Sequence, residues 1–384
     1  MWLYLILILI PLLAYLLFNE ELGHSVIFLA TYLLFLSLFV GLSDMLGGYD
    51  RYVYGQIFDS LADDMAVGRN LLQSAPFQVY TKEIGFDVYN ICIAFFTSNR
   101  YIFILITTLI IYLLLFVSFK KYLTNYPIGL FFFMALWFFF TFTYLRQVMA
   151  ACIGFLSLNY VVERKLYKFL IVVGIAATFH NSALILLPFY FLPLKKHNPN
   201  NIILVMILCL IIGATGWPSN VFDVYANVTS EAARFARYNE ADNSFRFAYV
   251  FEVFFFLYVI FSNYELFDKN NVKDVVNLNM MLCFCAILLL FVKSSNGGRM
   301  GWYFMLGVIM SISKVLQKTN QRKFFLCIVI PLFLFLYIRV YSGWQVFSSL
   351  YPYKTFLTDG HRQGDVIWRD CEYDNNYDRD KLYR

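Results

Sequence analysis

Long apolar runs, separated by short polar segments, make up most of the chain. Residues 2–18, 25–42, 101–119 and 275–292 carry no charged side chain, and each is about as long as the roughly 17–25 residues that a membrane-spanning helix needs. The spacing of such runs predicts about twelve transmembrane helices. The predicted spans are residues 2–18, 25–42, 101–119, 127–145, 147–162, 166–179, 182–194, 201–216, 247–261, 275–292, 301–317 and 324–341.

Lysine and arginine residues indicate which side of the membrane each loop occupies. Pairs such as Lys120 and Lys121 lie in short loops between spans, and short basic loops stay in the cytoplasm. This rule places both chain termini outside, together with three larger polar regions, residues 43–85, 217–246 and 342–384. Because binding and catalytic residues gather on loops carried by a rigid scaffold, we expect the protein to act at its external face.

Two segments do not fit the pattern of simple spans. The apolar run of residues 86–97 is too short to cross a bilayer, so we predict a re-entrant or interfacial helix there. Residues 166–194 have basic residues at both ends and must cross twice within a short length. This predicts two short helices hinged around residues 179–182. Since irregular backbone at membrane depth is buried in protein or faces water, we expect a cavity beside His180.

The composition agrees with a membrane protein and excludes a soluble one. Of the 384 residues, 60% are hydrophobic and 14% are charged, whereas soluble domains have about 45–50% apolar and about 25% charged residues. The expected fold class is an all-α polytopic integral membrane protein, with one transmembrane domain over residues 1–341 and an external polar tail over residues 342–384 whose end is poorly ordered. No lysine or arginine precedes Arg51, so the first apolar run is expected to remain as a helix rather than to be cleaved as a signal peptide.

Several functions are disfavoured by what the sequence lacks. The net charge is +5, but the basic residues are scattered over short loops, which argues against nucleic-acid binding. Six of the seven cysteines lie in apolar segments, and Cys283 and Cys285, the two that are close together, lack a histidine or acidic companion, so neither a disulfide framework nor a metal site is predicted. The glycine-rich phosphate loops of nucleotide-binding proteins are absent from the sequence.

Charged residues in or beside the apolar runs are the candidates for function, because a charge in the bilayer is costly and usually faces the protein interior or a water-filled cavity. Arg146 and Gln147 stand between two apolar runs. Arg299 follows a glycine pair at the start of another run, with Lys293 nearby. A planar guanidinium suits a phosphate group, so both arginines are candidate anion ligands. A snorkelling arginine at the interface and an ordinary helix-start residue are the alternatives.

One imidazole and two carboxylates are candidates for proton transfer. His180 is the only histidine in an apolar segment, and because imidazole titrates near neutral pH it is a candidate general base. A buried histidine with a structural hydrogen bond is the alternative. Asp50 and Glu83 are the carboxylate candidates. Asp50 stands beside Arg51 and Tyr52 in a tyrosine-rich loop that suits sugar binding, although tyrosines also form belts at membrane interfaces.

Several short strings resemble the EpsG-type, Wzy-like polymerases of bacterial exopolysaccharide, capsule and O-antigen. They occur in the family's order and cover residues 45–356. The Leu-Arg-Gln and Phe-His-x-Ser-Ala strings are the most specific of them. The strings are Gly48-Tyr-Asp-Arg-Tyr, Lys82-Glu-Ile-Gly-Phe, Tyr144-Leu-Arg-Gln-Val-Met-Ala-Ala, Ala177-Thr-Phe-His-Asn-Ser-Ala-Leu, Gly298-Arg-Met-Gly-Trp-Tyr-Phe and Tyr351-Pro-Tyr-Lys-Thr-Phe.

The resemblance implies a membrane-embedded, GT-C-like glycosyltransferase that uses no metal or other cofactor. Such an enzyme joins a glycan carried on undecaprenyl pyrophosphate to a second lipid-linked repeat unit and releases undecaprenyl pyrophosphate. It works at the external, periplasmic face of the bacterial cytoplasmic (inner) membrane. Its implied partners are the lipid-linked donor and acceptor, the lipid bilayer, and a chain-length regulator and a flippase of the same pathway, with no nucleic acid among them.

The resemblance also implies roles for individual residues. Arg146 and Arg299 would bind the pyrophosphate and stabilise its developing charge. His180 would be the first candidate for the base that activates the acceptor hydroxyl, with Glu83 or Asp50 as the alternative. The other residues expected to contact pyrophosphate or glycan are Gln147, Arg51, Tyr52, Asn181 and Tyr303. Three other functions stay open: a lipid-linked oligosaccharide flippase or transporter, an O-antigen ligase-like glycosyltransferase, and a membrane O-acetyltransferase.

Overall fold

The computed structural model consists of α-helices joined by short connections. It describes residues 2–44, 49–80, 83–218, 244–294, 297–346, 350 and 353–357. The predicted all-helical class is confirmed, since the extended pairing in these ranges is one isolated bridge between Ser43 and Thr355. The helices are α1 (Trp2–Leu17), α2 (Asn19–Leu22), α3 (Val26–Leu42), α4 (Tyr49–Ala66), α5 (Ala75–Val79), α6 (Ile84–Ala94), α7 (Arg100–Tyr122), α8 (Tyr126–Leu136), α9 (Phe140–Thr143), α10 (Leu145–Leu156), α11 (Leu158–Val162), α12 (Leu166–Phe179), α13 (Leu187–Phe191), α14 (Pro199–Ala214), α15 (Phe247–Phe261), α16 (Val272–Leu290), α17 (Gly297–Met300), α18 (Met305–Lys318) and α19 (Arg322–Val346). Short 3-10 helices lie at Leu71–Gln73, Asn181–Leu186, Tyr264–Leu266 and Gly301–Phe304.

Helices occupy all of the predicted spans, as expected for a polytopic membrane protein. By length and composition, four segments among the described residues can cross a membrane: Arg100–Tyr122, Leu145–Val162, Val272–Leu290 and Arg322–Gly343. Most of the other predicted spans coincide with apolar helices of 10–17 residues. The total number of crossings stays a prediction. The predicted external loop 217–246 and the tail 342–384 lie for the most part outside the described residues.

Residues at the ends of α7 explain where this long apolar helix begins and stops. The side chain of Asn99 accepts hydrogen bonds from the backbone N–H groups of Tyr101 and Ile102, which caps the first turn. Lys120 and Lys121 occupy the last turn, where cations interact favourably with the helix dipole. Both signals are local, so the sequence alone predicts the bounds of this helix closely.

The predicted span 127–145 is interrupted rather than continuous. α8 ends at Leu136, and a short helix, α9, follows at Phe140–Thr143. At the break the N–H of Phe138 donates to the carbonyl oxygen of Phe133, 3.1 Å away, five residues earlier instead of four. Such a break needs partners for the backbone groups that it releases, since water is absent at membrane depth.

Arg51 supplies a partner at the next interruption, between α9 and α10, and the sequence did not indicate it. Its guanidinium donates to the carbonyl oxygen of Phe142 at 3.2 Å and to those of Val40 and Ser43 at 3.0 and 2.8 Å. These carbonyls lie at the ends of α9 and α3, and Arg51 exposes 1% of its surface. The side chain expected to contact sugar therefore binds the ends of two helices together.

The region of residues 43–85, predicted only as an external loop, is largely helical. α4 places aromatic residues such as Phe58 in the interior, and its Asp59 forms a buried ion pair with Arg100 at the start of α7. The same Arg100 guanidinium lies over the Tyr52 ring, 5.8 Å from its centroid. Because a buried charge needs a partner, this pair fixes α4 against α7.

The two irregular segments have the short helices that the sequence predicts. α6 has 11 residues and is therefore about 16 Å long, which is shorter than the roughly 30 Å hydrocarbon core of a bilayer. α12 ends at Phe179, and a 3-10 helix begins at Asn181. The predicted interruption of the helix at His180 is confirmed.

By their internal contacts, the described residues form two compact units. The first contains the described parts of Met1–Leu156, Ile171–Leu184 and Cys327–Arg384, and the second those of Ser157–Leu170 and Ile185–Leu326. Aromatic side chains fill the interior of the first unit. For example, the rings of Phe132 and Phe333 lie 4.6 Å apart.

In the second unit, α14 and α16 pack at close range. A Cβ atom added at Gly213 of α14 would overlap the backbone carbonyl oxygen of Leu289 in α16 and would lie 2.8 Å from that of Leu290. Small residues permit such close approach of helices in membrane proteins. The obstacle is backbone rather than a movable side chain, so the two helices must separate to admit a larger residue.

We therefore expect Gly213→Ala to lower the free energy of unfolding by about 1–3 kcal/mol, the usual cost of overpacking. Gly174→Ala is the matched control, because a Cβ at Gly174 in α12 would meet no atom within 4 Å and alanine favours a helix over glycine. Denaturant titration of the purified protein in detergent measures both. Equal stability of the two variants would contradict the close packing of α14 on α16.

Candidate functional site

Arg146 is the centre of the most concentrated group of predicted site residues. It is the second residue of α10, directly after the connection to α9, and it exposes 6% of its surface. Its Nη1 atom pairs with the Glu83 carboxylate, and its Nε donates to the Tyr54 hydroxyl at 3.3 Å. A buried guanidinium is stable only with such partners.

Three aromatic rings surround the same guanidinium. Its carbon lies 4.1 Å from the centroid of Tyr80, 5.5 Å from that of Tyr54 and 5.9 Å from that of Phe86. The faces of aromatic rings attract cations at these distances. The rings also pack on one another, with 5.5 Å between Tyr80 and Phe86. The plane of the guanidinium is therefore held in one orientation.

The Tyr54 phenol acts in this group as a neutral hydrogen-bond acceptor. Burial raises its pKa, the nearby Arg146 charge opposes that rise, and the Asp50 and Glu83 carboxylates add to it. Asp50 lies in the first turn of α4 and is partly exposed. It therefore contributes to the electrostatics around Tyr54 from the edge of the group.

Glu83 connects the arginine to the interrupted helix at His180. Its carboxylate pairs with Arg146 and also accepts a hydrogen bond from the backbone N–H of Asn181, with 3.2 Å between N and Oε1. The same Oε1 atom lies 3.9 Å from Nδ1 of His180. Because charge-assisted and backbone donors both stabilise its ionised form, Glu83 is suited to hold Arg146 in place.

The hydrogen bonds of His180 to Ser182 both involve its Nδ1 atom. The backbone N–H of Ser182 donates to Nδ1 at 3.3 Å, and Ser182 Oγ lies 2.6 Å from the same atom. A backbone N–H can only donate, so Nδ1 is an acceptor and the neutral ring carries its proton on Nε2. Gln147 extends this chain, since its Nε2 donates to Ser182 Oγ at 3.5 Å.

Whether His180 can act as a general base depends on which of its ring nitrogens carries the proton. A neutral ring with its proton on Nε2 can donate from that atom, and its acceptor nitrogen, Nδ1, already contacts Ser182. A general base needs a nitrogen that can take a proton from substrate. The role of His180 as a general base stays a prediction.

The guanidinium of Arg146 keeps one amino group for a ligand. Its Nε and Nη1 atoms bond to Tyr54 and Glu83, while none of the described residues accepts a hydrogen bond from Nη2. The ion pair cancels the net charge of the arginine. What remains is a rigid, positioned donor in a low-dielectric site, which can bind a phosphate oxygen or a developing negative charge.

Asp87 belongs to this group, although the sequence analysis did not single it out. It lies one turn beyond Glu83 on α6, exposes 1% of its surface, and is close enough to Arg146 and Glu83 to interact electrostatically with both. None of the described residues donates a hydrogen bond to its Oδ1. A signal was present in the sequence, since Glu83, Asp87 and Asn90 share one helix face within an apolar run.

Four other predicted site residues have contacts of their own. Arg51 and Tyr52 are buried, and contact helix ends and Arg100 as described above. Arg299 and Tyr303 lie in the second unit, on α17 and on the 3-10 helix that follows. There the Arg299 guanidinium is 5.9 Å from the ring centroid of Trp302, and Tyr303 is fully buried.

Metal ligation finds no support in the part of the chain that the structure describes. There, no group of three or more His, Cys, Asp or Glu side chains is arranged to hold a metal ion. The histidine and carboxylates beside Arg146 instead bond to the protein itself, through Ser182, Asn181 and the guanidinium.

Comparison with known proteins identifies one family. The sequence model of the EpsG family matches residues 26–355, a range that includes Glu83, Asp87, Arg146, His180 and Arg299. No curated protein and no solved structure matches the chain.

The buried ion pair yields a test of how the site is held together. Glu83→Gln leaves Arg146 buried without its countercharge, so we expect the free energy of unfolding to fall by about 3 kcal/mol. Glu163→Gln is the control, because it makes the same change in an ion pair with Lys165, in which the side chains of Glu163 and Lys165 are 37% and 52% exposed, and exposed pairs contribute about 0–1 kcal/mol. Denaturant titration in detergent compares them, and equal losses would show that Glu83 does not compensate the Arg146 charge.

Proposed function

The chain belongs to the EpsG family, and from this membership we propose that it polymerises oligosaccharide repeat units carried on undecaprenyl pyrophosphate. The family assignment and the apolar helices make it a membrane protein of polysaccharide biosynthesis. The proposed product is a surface polysaccharide, either O-antigen, capsule or exopolysaccharide. The proposed reaction takes place at the outer face of the cytoplasmic membrane, in a GT-C-like protein with about twelve spans, the number that segment length and loop charge predict.

The observation that carries the proposal is the buried guanidinium of Arg146. Glu83 and three aromatic rings hold it rigidly, while its Nη2 group donates to none of the described residues. A glycosyl transfer from a lipid pyrophosphate develops negative charge on the departing pyrophosphate oxygen. Donors fixed in advance at such an oxygen lower the barrier, because they need not reorganise during reaction.

The proposed step replaces one bond of the anomeric carbon by another. The oxygen of an acceptor sugar hydroxyl forms a bond to the anomeric carbon of the donor glycan. The bond between that carbon and the pyrophosphate oxygen breaks, and its electron pair leaves with undecaprenyl pyrophosphate. The proton of the acceptor hydroxyl passes to a base. Arg146 acts on the leaving oxygen.

The geometry supports different roles for the three residues first considered as bases. The His180 ring is proposed as a donor to a substrate oxygen through Nε2, because Nδ1 contacts Ser182. Glu83 is proposed to orient Arg146, since it accepts from that guanidinium and from Asn181. Asp50 stays a secondary candidate at the edge of the group.

The other proposed contacts follow from the family resemblance. Arg299 is proposed to bind pyrophosphate or glycan, and Tyr303, which is fully buried, to support the helix start beside it. Gln147 and Asn181 are proposed to support the site through Ser182 and Glu83. Arg51 and Tyr52 contribute by positioning helices rather than by touching sugar. The proposed partners are the lipid-linked donor and acceptor in the bilayer, a chain-length regulator and a flippase.

The length distribution of surface glycan tests the proposed function. Cells that lack the gene should display glycan of single repeat units, and the wild-type gene should restore a ladder of polymer lengths. A complete loss of surface glycan in the deletion strain would favour a flippase or a ligase instead. An unchanged ladder in that strain would exclude the polymerase assignment.

Arg146→Lys tests the proposed role of the guanidinium. Lysine keeps the positive charge but loses the planar arrangement of donors, so we expect polymerisation to slow by about 100-fold, as for removal of one fixed transition-state donor. Arg69→Lys, at an exposed arginine, is the matched control and should leave the ladder unchanged. Immunoblotting confirms equal protein levels. Wild-type polymer lengths in Arg146→Lys would count against the proposed role of the Arg146 guanidinium.

A further inference from the structure

Two carboxylates on one face of α6 have different surroundings. Glu83 immediately precedes the helix, and Asp87 lies one turn further along, so both side chains project on the same side. Both are buried, with 8% and 1% of their surfaces exposed. Both also interact with the same guanidinium, that of Arg146.

The carboxylates of Glu83 and Asp87 differ in their hydrogen bonds. Glu83 accepts from Arg146 and from the backbone N–H of Asn181, and these bonds would be lost or weakened if it took up a proton. Asp87 has an oxygen, Oδ1, that is shielded from solvent and accepts from none of the described residues. When neighbouring acids differ in this way, the well-bonded one stays ionised and the other is suited to exchange a proton.

A buried carboxyl oxygen without a donor needs an explanation, since buried polar atoms in proteins are nearly always hydrogen-bonded. One explanation is a ligand that supplies the donor. A sugar hydroxyl is such a donor, and it lies within the substrate class of the proposed function. No positively charged ligand is required, because Arg146 already balances one of the two carboxylates.

We propose that Asp87 is the catalytic base of the site, accepting on Oδ1 the proton of the acceptor sugar hydroxyl while that oxygen attacks the donor glycan. This inference rests on the proposed polymerase function. The O–H bond of the acceptor breaks, an O–H bond forms on the Asp87 carboxylate, and the new glycosidic bond forms as the bond from carbon to pyrophosphate breaks. The electron pair leaves with the pyrophosphate, and Asp87 later returns its proton to water.

In this proposal, neighbouring side chains act on different atoms of the two substrates. Asp87 acts on the acceptor oxygen, whereas the Nη2 group of Arg146 acts on the leaving oxygen. Glu83 holds Arg146 and does not exchange protons. This gives each ionisable side chain at the start of α6 a separate role, and it gives His180 a donor role consistent with its tautomer.

The experiment measures kcat and KM of the purified, full-length protein. The substrate is the lipid-linked repeat unit extracted from cells that lack the gene, and the readout is polymer formed per time. Asp87→Asn keeps the size of the side chain but removes its ability to take a proton. We expect its kcat to fall by about 100-fold or more, the usual contribution of a general base, with KM changed less than about threefold.

Two further variants separate catalysis from structure. Asp87→Glu keeps the carboxyl group and should recover part of the lost kcat. Asp64→Asn makes the same chemical change at an α4 residue that pairs with the exposed Arg69 and should match the wild type. The thermal midpoint of each variant in detergent is measured beside its activity, because a merely structural Asp87 would lower the midpoint without a selective loss of kcat.

The possible outcomes distinguish a failure of the base assignment from a failure of the proposed polymerase function. If the wild type polymerises and Asp87→Asn keeps its kcat within about tenfold, Asp87 is not the base, while the proposed function stands. A rise in KM alone, or an Asp87→Asn protein that does not fold while Asp87→Glu folds without activity, also overturns the base assignment. If the wild type forms no polymer from these substrates and the deletion strain keeps its ladder, the proposed function fails and Asp87 loses its role with it.

Discussion

A guanidinium inside an apolar helical protein has to be compensated, and the arrangement around Arg146 follows from that constraint. An isolated buried charge costs several kcal/mol. Here the compensation comes from three separate parts of the chain: Tyr54 on α4, Glu83 before α6, and, through Glu83, the backbone at Asn181. Each partner must be placed accurately. The charge of one residue therefore determines how α4, α6, α10 and the end of α12 are arranged within the first unit.

Interrupted helices make that arrangement possible. α9 ends at Thr143 just before Arg146, and α12 ends at Phe179 just before His180. Each interruption releases backbone groups that must find partners. Asn181 donates its released N–H to Glu83, and Arg51 binds the released carbonyl of Phe142. The interrupted backbone thus supplies some of the hydrogen bonds that hold the site together. The carboxylates of Glu83 and Asp87 lie just before α6 and in its first turn, and this helix is too short to span a bilayer.

The balance of charge around Arg146 bears on the chemistry that the site can perform. With Glu83 paired, the arginine offers directed donors rather than a strong positive field. This suits a substrate whose negative charge grows during reaction, because the donor is worth most where charge develops. A second carboxyl, Asp87, keeps an oxygen that none of the described residues satisfies. Donor and acceptor groups of opposite function thus lie close together in surroundings with little water.

Much of this protein is determined by its sequence alone, since apolar run length, helix caps and loop charge are local signals. They predict the helical class, the bounds of α7, the shortness of α6 and the interruption at His180, and the position of Arg146 between two apolar runs makes it a candidate site residue. The sequence could not decide which polar residues meet. Arg51 is predicted in an external loop but binds the ends of two helices, and Asp87 lies in an apolar run but is close enough to Arg146 to interact with it electrostatically. Only the tertiary structure decides such pairings, because the partners lie far apart in the chain and the energy of a buried charge depends on which groups surround it.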